Sequence, residues 1–268
     1  MSKTFHFLSG LPRSGSTVLA ALLSQNPDIY VSATSPLVGL MHGAKHMWDT
    51  AEHIKAHAVS GQIERVLGGM AESFYSHTDK SIVIDKNRAW SNPDKQDMLR
   101  ISLAREPKII ATVRPIAPIL ASFISLIRKN SQSVSFIDKE LLASGQELTD
   151  LNRCRLLMGE GGHVYQSWDV LKKGYELYPQ NILIIEYDKL MISPAKELAR
   201  IYSFLEIAPF SHDIENIINV VPENDEVAYN LPGMHAIRPV LKKTAPDPRV
   251  VLGEEIFNNY QGGEFWCS

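Results

Sequence analysis

Cysteine is almost missing from this chain: there are two, Cys154 and Cys267, and they form no ligand-spaced pair. That excludes a disulfide framework and a Cys-based zinc site. No apolar run approaches the roughly 20 residues a membrane-crossing helix needs. No secretory leader pattern precedes the first apolar stretch, Phe5-His6-Phe7-Leu8. A cytoplasmic chain with no membrane span is therefore expected. An excess of either charge is lacking too: 27 Lys and Arg against 30 Asp and Glu leave a formal net charge of −3. Such a balance gives no global pull toward nucleic acid or anionic membrane, so any anion site has to be built locally. No internal repeat and no Pro/Gly/Ser linker divides the 268 residues, and one domain over 1–268 is the economical expectation. With 44% hydrophobic and 21% charged residues, the composition is that of a globular protein, not a disordered or fibrous one.

Four short apolar, β-branched runs read as buried parallel strands: Thr4–Leu8, Ser81–Ile84, Lys108–Val113 and Asn181–Ile185. Tyr30–Val31 adds a short fifth. Helix-length segments alternate with them at Ser16–Ser24, Leu37–Trp48, Ile54–Tyr75, Pro115–Lys129, Leu151–Tyr178 and Pro194–Leu205. Gly61 and Gly68-Gly69 interrupt the third of these, and Pro115 stands where a first-turn proline belongs. The alternation predicts an α/β fold, a doubly wound parallel sheet of four to five strands flanked by helices on both faces. Ser131–Asp150 is polar and aperiodic and reads as a flexible or substrate-facing loop. Pro222–Pro248, rich in Pro, Gly and charge, reads as another long loop.

Between the first strand and the first helix stands Gly10-Leu11-Pro12-Arg13-Ser14-Gly15-Ser16-Thr17. The spacing is that of a P-loop, G-x-x-x-x-G-K-[ST], with Ser16 in the place of the lysine. Such a loop turns backbone N–H groups inward, and the following helix adds its positive end. Gly10 and Gly15 permit the tight turn. Pro12 lies within it, Ser14, Ser16 and Thr17 add hydroxyl donors, and Arg13 adds a fixed charge. A kinase or ATPase loop uses the missing lysine on the β/γ-phosphates and a Ser/Thr on magnesium. A single 5′-phosphate bearing a sulfate needs no such clamp.

From Phe7 to Thr17 the chain resembles the 5′-phosphosulfate loop of the sulfotransferase family that uses 3′-phosphoadenosine 5′-phosphosulfate (PAPS). Through Leu22-Leu23-Ser24-Gln25-Asn26-Pro27 it is similar to the bacterial and tyrosylprotein branch. The resemblance implies a second anion site for the 3′-phosphate, formed by an arginine at a strand end and a serine eight residues on. Arg114, after Val113, and Ser122 match both positions. It implies a catalytic lysine just past a strand, matched by Lys86 in Ser81-Ile82-Val83-Ile84-Asp85-Lys86-Asn87, with Arg13 beside it on the bridging oxygen and transferred group. It also implies a tyrosine against the adenine side, matched by Tyr187, and a basic C-terminal segment over the 3′-phosphate, for which Arg238 and Lys242 are the candidates.

The implied general base is not where either branch keeps it. The cytosolic branch has a histidine two residues after the lysine, where Arg88 stands; the tyrosylprotein branch has a glutamate where Ala33 or Thr34 stands. His42 and His46 suit an ordinary helix surface; the base then lies elsewhere in the chain, His163 in Gly161-Gly162-His163 being an outlying candidate, or the acceptor is acidic enough to need little help. The family's K-x-x-x-T-V-x-x-x-E dimerisation pattern is not found. The resemblance covers 5–27, 81–128 and 181–207, and more loosely 231–266.

The leading expectation is a sulfotransferase that moves a sulfuryl group from PAPS to a hydroxyl or amine of a small-molecule or peptide acceptor, releasing PAP, with no metal and no nucleic-acid partner. An alternative is an ATP- and magnesium-dependent small-molecule kinase, disfavoured by Ser16 in the lysine position and by the lack of a convincing acidic strand end for magnesium, Asp85 being the one candidate. A third is a nucleotide-binding protein without catalysis, against which Lys86 argues.

Overall fold

A computed structural model describes residues 3–56, 59–242 and 246–267. Five strands, β1 (Thr4–Gly10), β2 (Ile29–Thr34), β3 (Ile82–Lys86), β4 (Ile109–Val113) and β5 (Ile182–Glu186), form one sheet in the order β2-β3-β1-β4-β5. Every pairing is parallel, so all the carboxyl ends lie along one edge. The expected α/β sheet is the one observed, with the weakest run grown into a full edge strand.

Alternation along each strand sends side chains to opposite faces. Phe5, Phe7, Val83, Ile109 and Ala111 pack with Trp90, Phe123 and Leu171 on one side. Leu8, Ile84, Ile110 and Ile185 pack with Leu19, Leu22 and Leu198 on the other. Both faces are covered, which is why these strands read as unbroken apolar runs. Register then sets the site. Leu8 pairs with Lys86, Gly10 with Thr112 and Val113 with Glu186, so the ends of β1, β3, β4 and β5 converge.

Several expected boundaries move, each for a local reason. Ser131–Asp150 is not all loop: Phe136–Ala143 is a helix, started by Ser135, whose hydroxyl accepts from the Asp138 N–H at 3.1 Å. Ile137 and Leu141 anchor it in the core. Leu151–Tyr178 is two helices, Asp150–Met158 and His163–Leu177. They break at Gly162, where a Cβ would lie 2.2 Å from the Leu156 carbonyl oxygen. Gly61, at φ +72°, does interrupt the Ile54–Tyr75 segment, but Gly68-Gly69 stays inside the helix Gln62–Phe74. The helix Pro93–Leu103, unexpected from its mixed pattern, starts at Asn92, whose side chain accepts from the Asp94 N–H at 2.9 Å.

The segment Pro222–Pro248 returns across the carboxyl edge of the sheet. Among its described residues ahead of Pro248 it holds one short helix, Asp225–Tyr229, and it is pinned by the buried Leu231 and Met234. Asn130 Nδ2 donates to the Pro232 carbonyl at 3.1 Å, and Asn230 Nδ2 to that of Val134 at 2.7 Å. The chain then forms the helical segment Pro248–Tyr260, kinked at Gly253, which lies along Ile116–Lys129. Among the described residues no helix is long and apolar enough to cross a membrane.

Candidate anion-binding and transfer site

The loop after β1 is shaped by backbone geometry. Gly10 sits at φ +128°, where a Cβ would lie 2.2 Å from the Thr112 carbonyl oxygen, so only glycine fits against β4. Arg13 and Gly15 take left-handed conformations at φ +59° and +91°. Gly15 caps the helix Ser16–Leu23, whose first turn carries no acidic residue. The amino end of that helix, with its unpaired N–H groups and positive dipole end, therefore faces the cavity lined by Gly15, Ser16 and Thr17. Ser14 does not extend its hydroxyl there. Its Oγ is fully buried, 2.5 Å from the Leu11 carbonyl oxygen and 2.7 Å from Thr112 Oγ1, and it clamps the loop to β4.

The cavity, of roughly 360 Å³, gathers most residues expected from the sequence: Pro12, Arg13, Gly15, Ser16, Thr17, Lys86, Arg114, Ser122, Tyr187, Arg238 and Lys242. Ser14 alone is absent from its lining. Arg238 and Lys242 are exposed at the rim, and Lys129 also lines it.

Arg13 reaches inward from the loop. Its Nε donates to Ser122 Oγ at 3.1 Å and an Nη to the Met234 carbonyl. Arg114, at the end of β4, is 7% exposed; its guanidinium lies over the Tyr187 ring, 4.5 Å from the centroid. Tyr187 in turn rests against the loop, since a Cβ on Gly15 would lie 2.8 Å from its Cδ2. Arg114 and Ser122 thus line one cavity, but Arg13 stands between them and holds the serine. Burial lowers the pKa of both guanidiniums, and Arg114 lowers that of Arg13 further. Asp225 and Asp188 oppose these shifts from a distance, while among the described residues the hydrogen bonds of the two arginines go to a hydroxyl and to carbonyls. Two desolvated cations pressed together in this way form a site for an anion.

Lys86 ends β3 with its side chain 9% exposed. Its Nζ is 2.8 Å from Glu223 Oε1, on the returning segment. The same oxygen accepts from Thr34 N–H at 3.3 Å and Thr34 Oγ1 at 3.2 Å. Burial alone would raise the Glu223 carboxyl, but Lys86, His235 and Thr34 together hold it below the usual carboxylate range. The other oxygen, Oε2, is 3.7 Å from His235 Nδ1. His235 Nδ1 is also 2.5 Å from Asp225 Oδ1, and its backbone N–H donates to Asp225 Oδ2 at 2.7 Å.

Glu223, Asp225 and His235 were not singled out from the sequence. Glu223 lies 137 residues after Lys86, and no local pattern marks it. The detectable signal is Asn224, whose side chain accepts from Val227 N–H at 3.1 Å and starts a helix with two acids in its first turn. His42 and His46 are exposed on their helix, and His163 stacks edge-on against Phe136.

Asp85, the magnesium candidate of the kinase reading, faces the core. It is fully buried, accepts from Trp90 Nε1 at 2.6 Å and Tyr75 Oη at 2.5 Å, and burial raises its pKa. No cluster of His, Cys, Asp and Glu suited to a metal ion occurs among the described residues.

A family model described as "Sulfotransferase family" matches residues 7–212. Protein-tyrosine sulfotransferase A of Caenorhabditis elegans is 20% identical over 210 residues, covering 76% of this chain and 50% of that protein. Protein-tyrosine sulfotransferase 1 of Danio rerio is 22% identical over 205 residues, covering 75% and 52%. The chain thus spans about half the length of the curated relatives it matches. A crystal structure of a mouse sulfotransferase complexed with PAP aligns over 98% of this chain and 79% of that one, with a TM-score of 0.49 and 17% identity. The Glu223–His235 segment lies beyond the residues the family model matches.

Proposed function

The chain belongs to the sulfotransferase family, and from that membership we propose that it transfers a sulfuryl group from PAPS to a hydroxyl or amine acceptor and releases PAP. One observation carries the reading: Arg13 and Arg114, desolvated and hydrogen-bonded among the described residues to a hydroxyl and carbonyls, meet a helix amino end and a buried lysine in one cavity. The cavity lies at the carboxyl edge of a parallel sheet, where α/β folds bind nucleotides. Its volume suits a ligand of that size.

The residues fit the donor in a definite order. Backbone N–H groups around Arg13, Ser14, Gly15, Ser16 and Thr17 hold the 5′-phosphosulfate. Arg114 and Ser122, with Arg238 and Lys242 at the rim, hold the 3′-phosphate, and Tyr187 offers its ring to the adenine side. Lys86 and Arg13 stabilise charge on the bridging oxygen as the group departs. PAPS supplies the activated sulfuryl group; positioning and charge stabilisation are the protein's part. The relatives' names supply one acceptor class, a tyrosine phenol within a protein; a small-molecule hydroxyl or amine is the other.

Two features speak against the kinase alternative. Ser16 occupies the loop-lysine position, and the Asp85 carboxylate is committed to Trp90 and Tyr75 inside the core. The reading is tested by thermal shift with PAP against ATP plus magnesium, for wild type and Arg114→Ala. A ligand at 100 times its dissociation constant adds about 2.7 kcal/mol. PAP is expected to stabilise the wild type and not the variant; stabilisation by ATP–magnesium alone would promote the kinase.

A further inference from the structure

We propose that His235, oriented by Asp225, is the general base that takes the proton from the sulfate acceptor. The inference rests on the sulfotransferase reading above and supplies the group that its two known branches place elsewhere in the chain.

The case is geometric. His235 lines the same cavity as Lys86 and Arg13. Asp225, 8% exposed, grips it twice, through the ring Nδ1 at 2.5 Å and the backbone N–H at 2.7 Å. That double contact fixes the ring and assigns the Nδ1 proton to Asp225, leaving the Nε2 lone pair as the acceptor. The aspartate–histidine pair is the orienting half of a catalytic triad, with the third position left for a substrate hydroxyl. Asp225 is a positioning residue; His235 is the one that would touch the acceptor.

The groups facing the ring set its protonation. Asp225, Glu223 at 3.7 Å and Lys86 act on it electrostatically, and the Tyr229 ring lies 5.8 Å away by centroid. Burial outweighs the two carboxylates and holds the imidazole below its ordinary range, so it is neutral and ready to accept a proton near pH 7. Glu223 is the poorer base. One of its oxygens is tied to Lys86 and Thr34, and its acidity is raised by them. Its place between Lys86 and His235 instead fixes the distance between the group that stabilises the leaving oxygen and the group that takes the proton.

The step balances. The acceptor oxygen forms a bond to sulfur while the bond from sulfur to the bridging oxygen breaks. The bridging oxygen keeps the electron pair and leaves on PAP, next to Lys86. The acceptor proton moves to His235 Nε2, and the resulting imidazolium rests against Asp225 until it releases the proton to solvent.

The test uses the full chain with PAPS, following PAP release with water, phenol or 4-nitrophenol as acceptor. His235→Gln and His235→Ala are expected to bind PAP like wild type and to stay folded, His235→Ala melting lower because it leaves the buried Asp225 carboxylate without its ring partner. With water or phenol they should release PAP at least about 100-fold more slowly, the usual scale of general-base catalysis. With 4-nitrophenol, already ionised at mildly alkaline pH, the loss should stay under about tenfold because no proton needs a base. Asp225→Asn should keep PAP binding, slow phenol turnover and shift the acid limb of its pH profile, a readout that a packing role would leave in place. Wild-type turnover in both His235 variants, or equal loss on both phenols, would overturn the assignment. So would Glu223→Gln showing the phenol-selective loss in their stead. PAP binding without PAP release from any of the three acceptors also counts against an active base here. Failure of PAP to bind the wild type would overturn the sulfotransferase reading itself.

Discussion

The Arg114 guanidinium lies over the Tyr187 ring, 4.5 Å from its centroid, and ties the end of β4 to the start of the helix Tyr187–Ile192. Each residue follows its own strand, and the pairing of Val113 with Glu186 is what brings them side by side. The stack fixes the direction of a cation whose one hydrogen bond among the described residues goes to the Arg13 carbonyl. Tyr187→Ala should therefore weaken PAP binding by about tenfold, the scale of one partly desolvated cation–π contact, while Tyr187→Phe should leave it within about twofold. Calorimetric titration with PAP measures both; equal losses would show that the hydroxyl, not the ring, matters.

Gly10 concerns the loop itself. Any Cβ there meets the Thr112 carbonyl oxygen at 2.2 Å and the Thr112 nitrogen at 2.5 Å, in a conformation at φ +128° that other residues avoid. Backbone cannot step aside as a side chain can. Gly10→Ala is expected to cost about 3 kcal/mol or more in urea unfolding, with PAP binding lost even where the fold survives. A variant of wild-type stability that still binds PAP would show that the strand ends separate freely, contrary to the register described.

Legibility in the sequence followed how local each signal was. Gly10, Arg13, Gly15, and the strand before Arg114 with the helix after it, were readable because loop, strand and cap chemistry act within a few residues. Ser135 with Asp138 is equally local, and the helix it starts could have been read from its capping pattern. The Lys86–Glu223–His235–Asp225 group could not. It exists only because Leu231 and Met234 bury themselves and draw a Pro- and Gly-rich segment back over the sheet edge. The Ser14 hydroxyl was misjudged for a related reason: its partner, Thr112, comes from a strand 98 residues away.

His6, on β1, makes stability depend on pH. It is buried, and among the described residues neither ring nitrogen has a hydrogen-bond partner. Burial, with Arg105 and Lys108 nearby and only Glu206 opposing, pushes its pKa from 6.5 down to about 3. As pH falls below 6.5 the unfolded chain gains a proton that the folded chain refuses until about 3. Across that window stability drops with falling pH, by at most about 1.4 kcal/mol per unit from this residue. His6→Leu should flatten the decline in denaturant melts between pH 6.5 and pH 4. Parallel declines in the two proteins would mean that other groups carry it.

Lys86 and Glu223 stabilise each other across the site, with side chains 9% and 12% exposed. Lys86→Met leaves the carboxylate nearly buried beside an apolar chain, and the expected cost is about 2 kcal/mol. PAP carries no sulfuryl group, so its binding should fall by less than about tenfold. PAP release from PAPS should fall at least about 100-fold, because no cation meets the charge developing on the leaving oxygen. The double variant Lys86→Met/Glu223→Gln separates the two roles. It removes the stranded charge and should regain most of the lost stability, yet it should remain as slow as the single variant. Urea melts and single-turnover kinetics on the three proteins decide the matter. Turnover that returned together with stability would make Lys86 a structural partner of Glu223 and deny it any part in sulfuryl transfer.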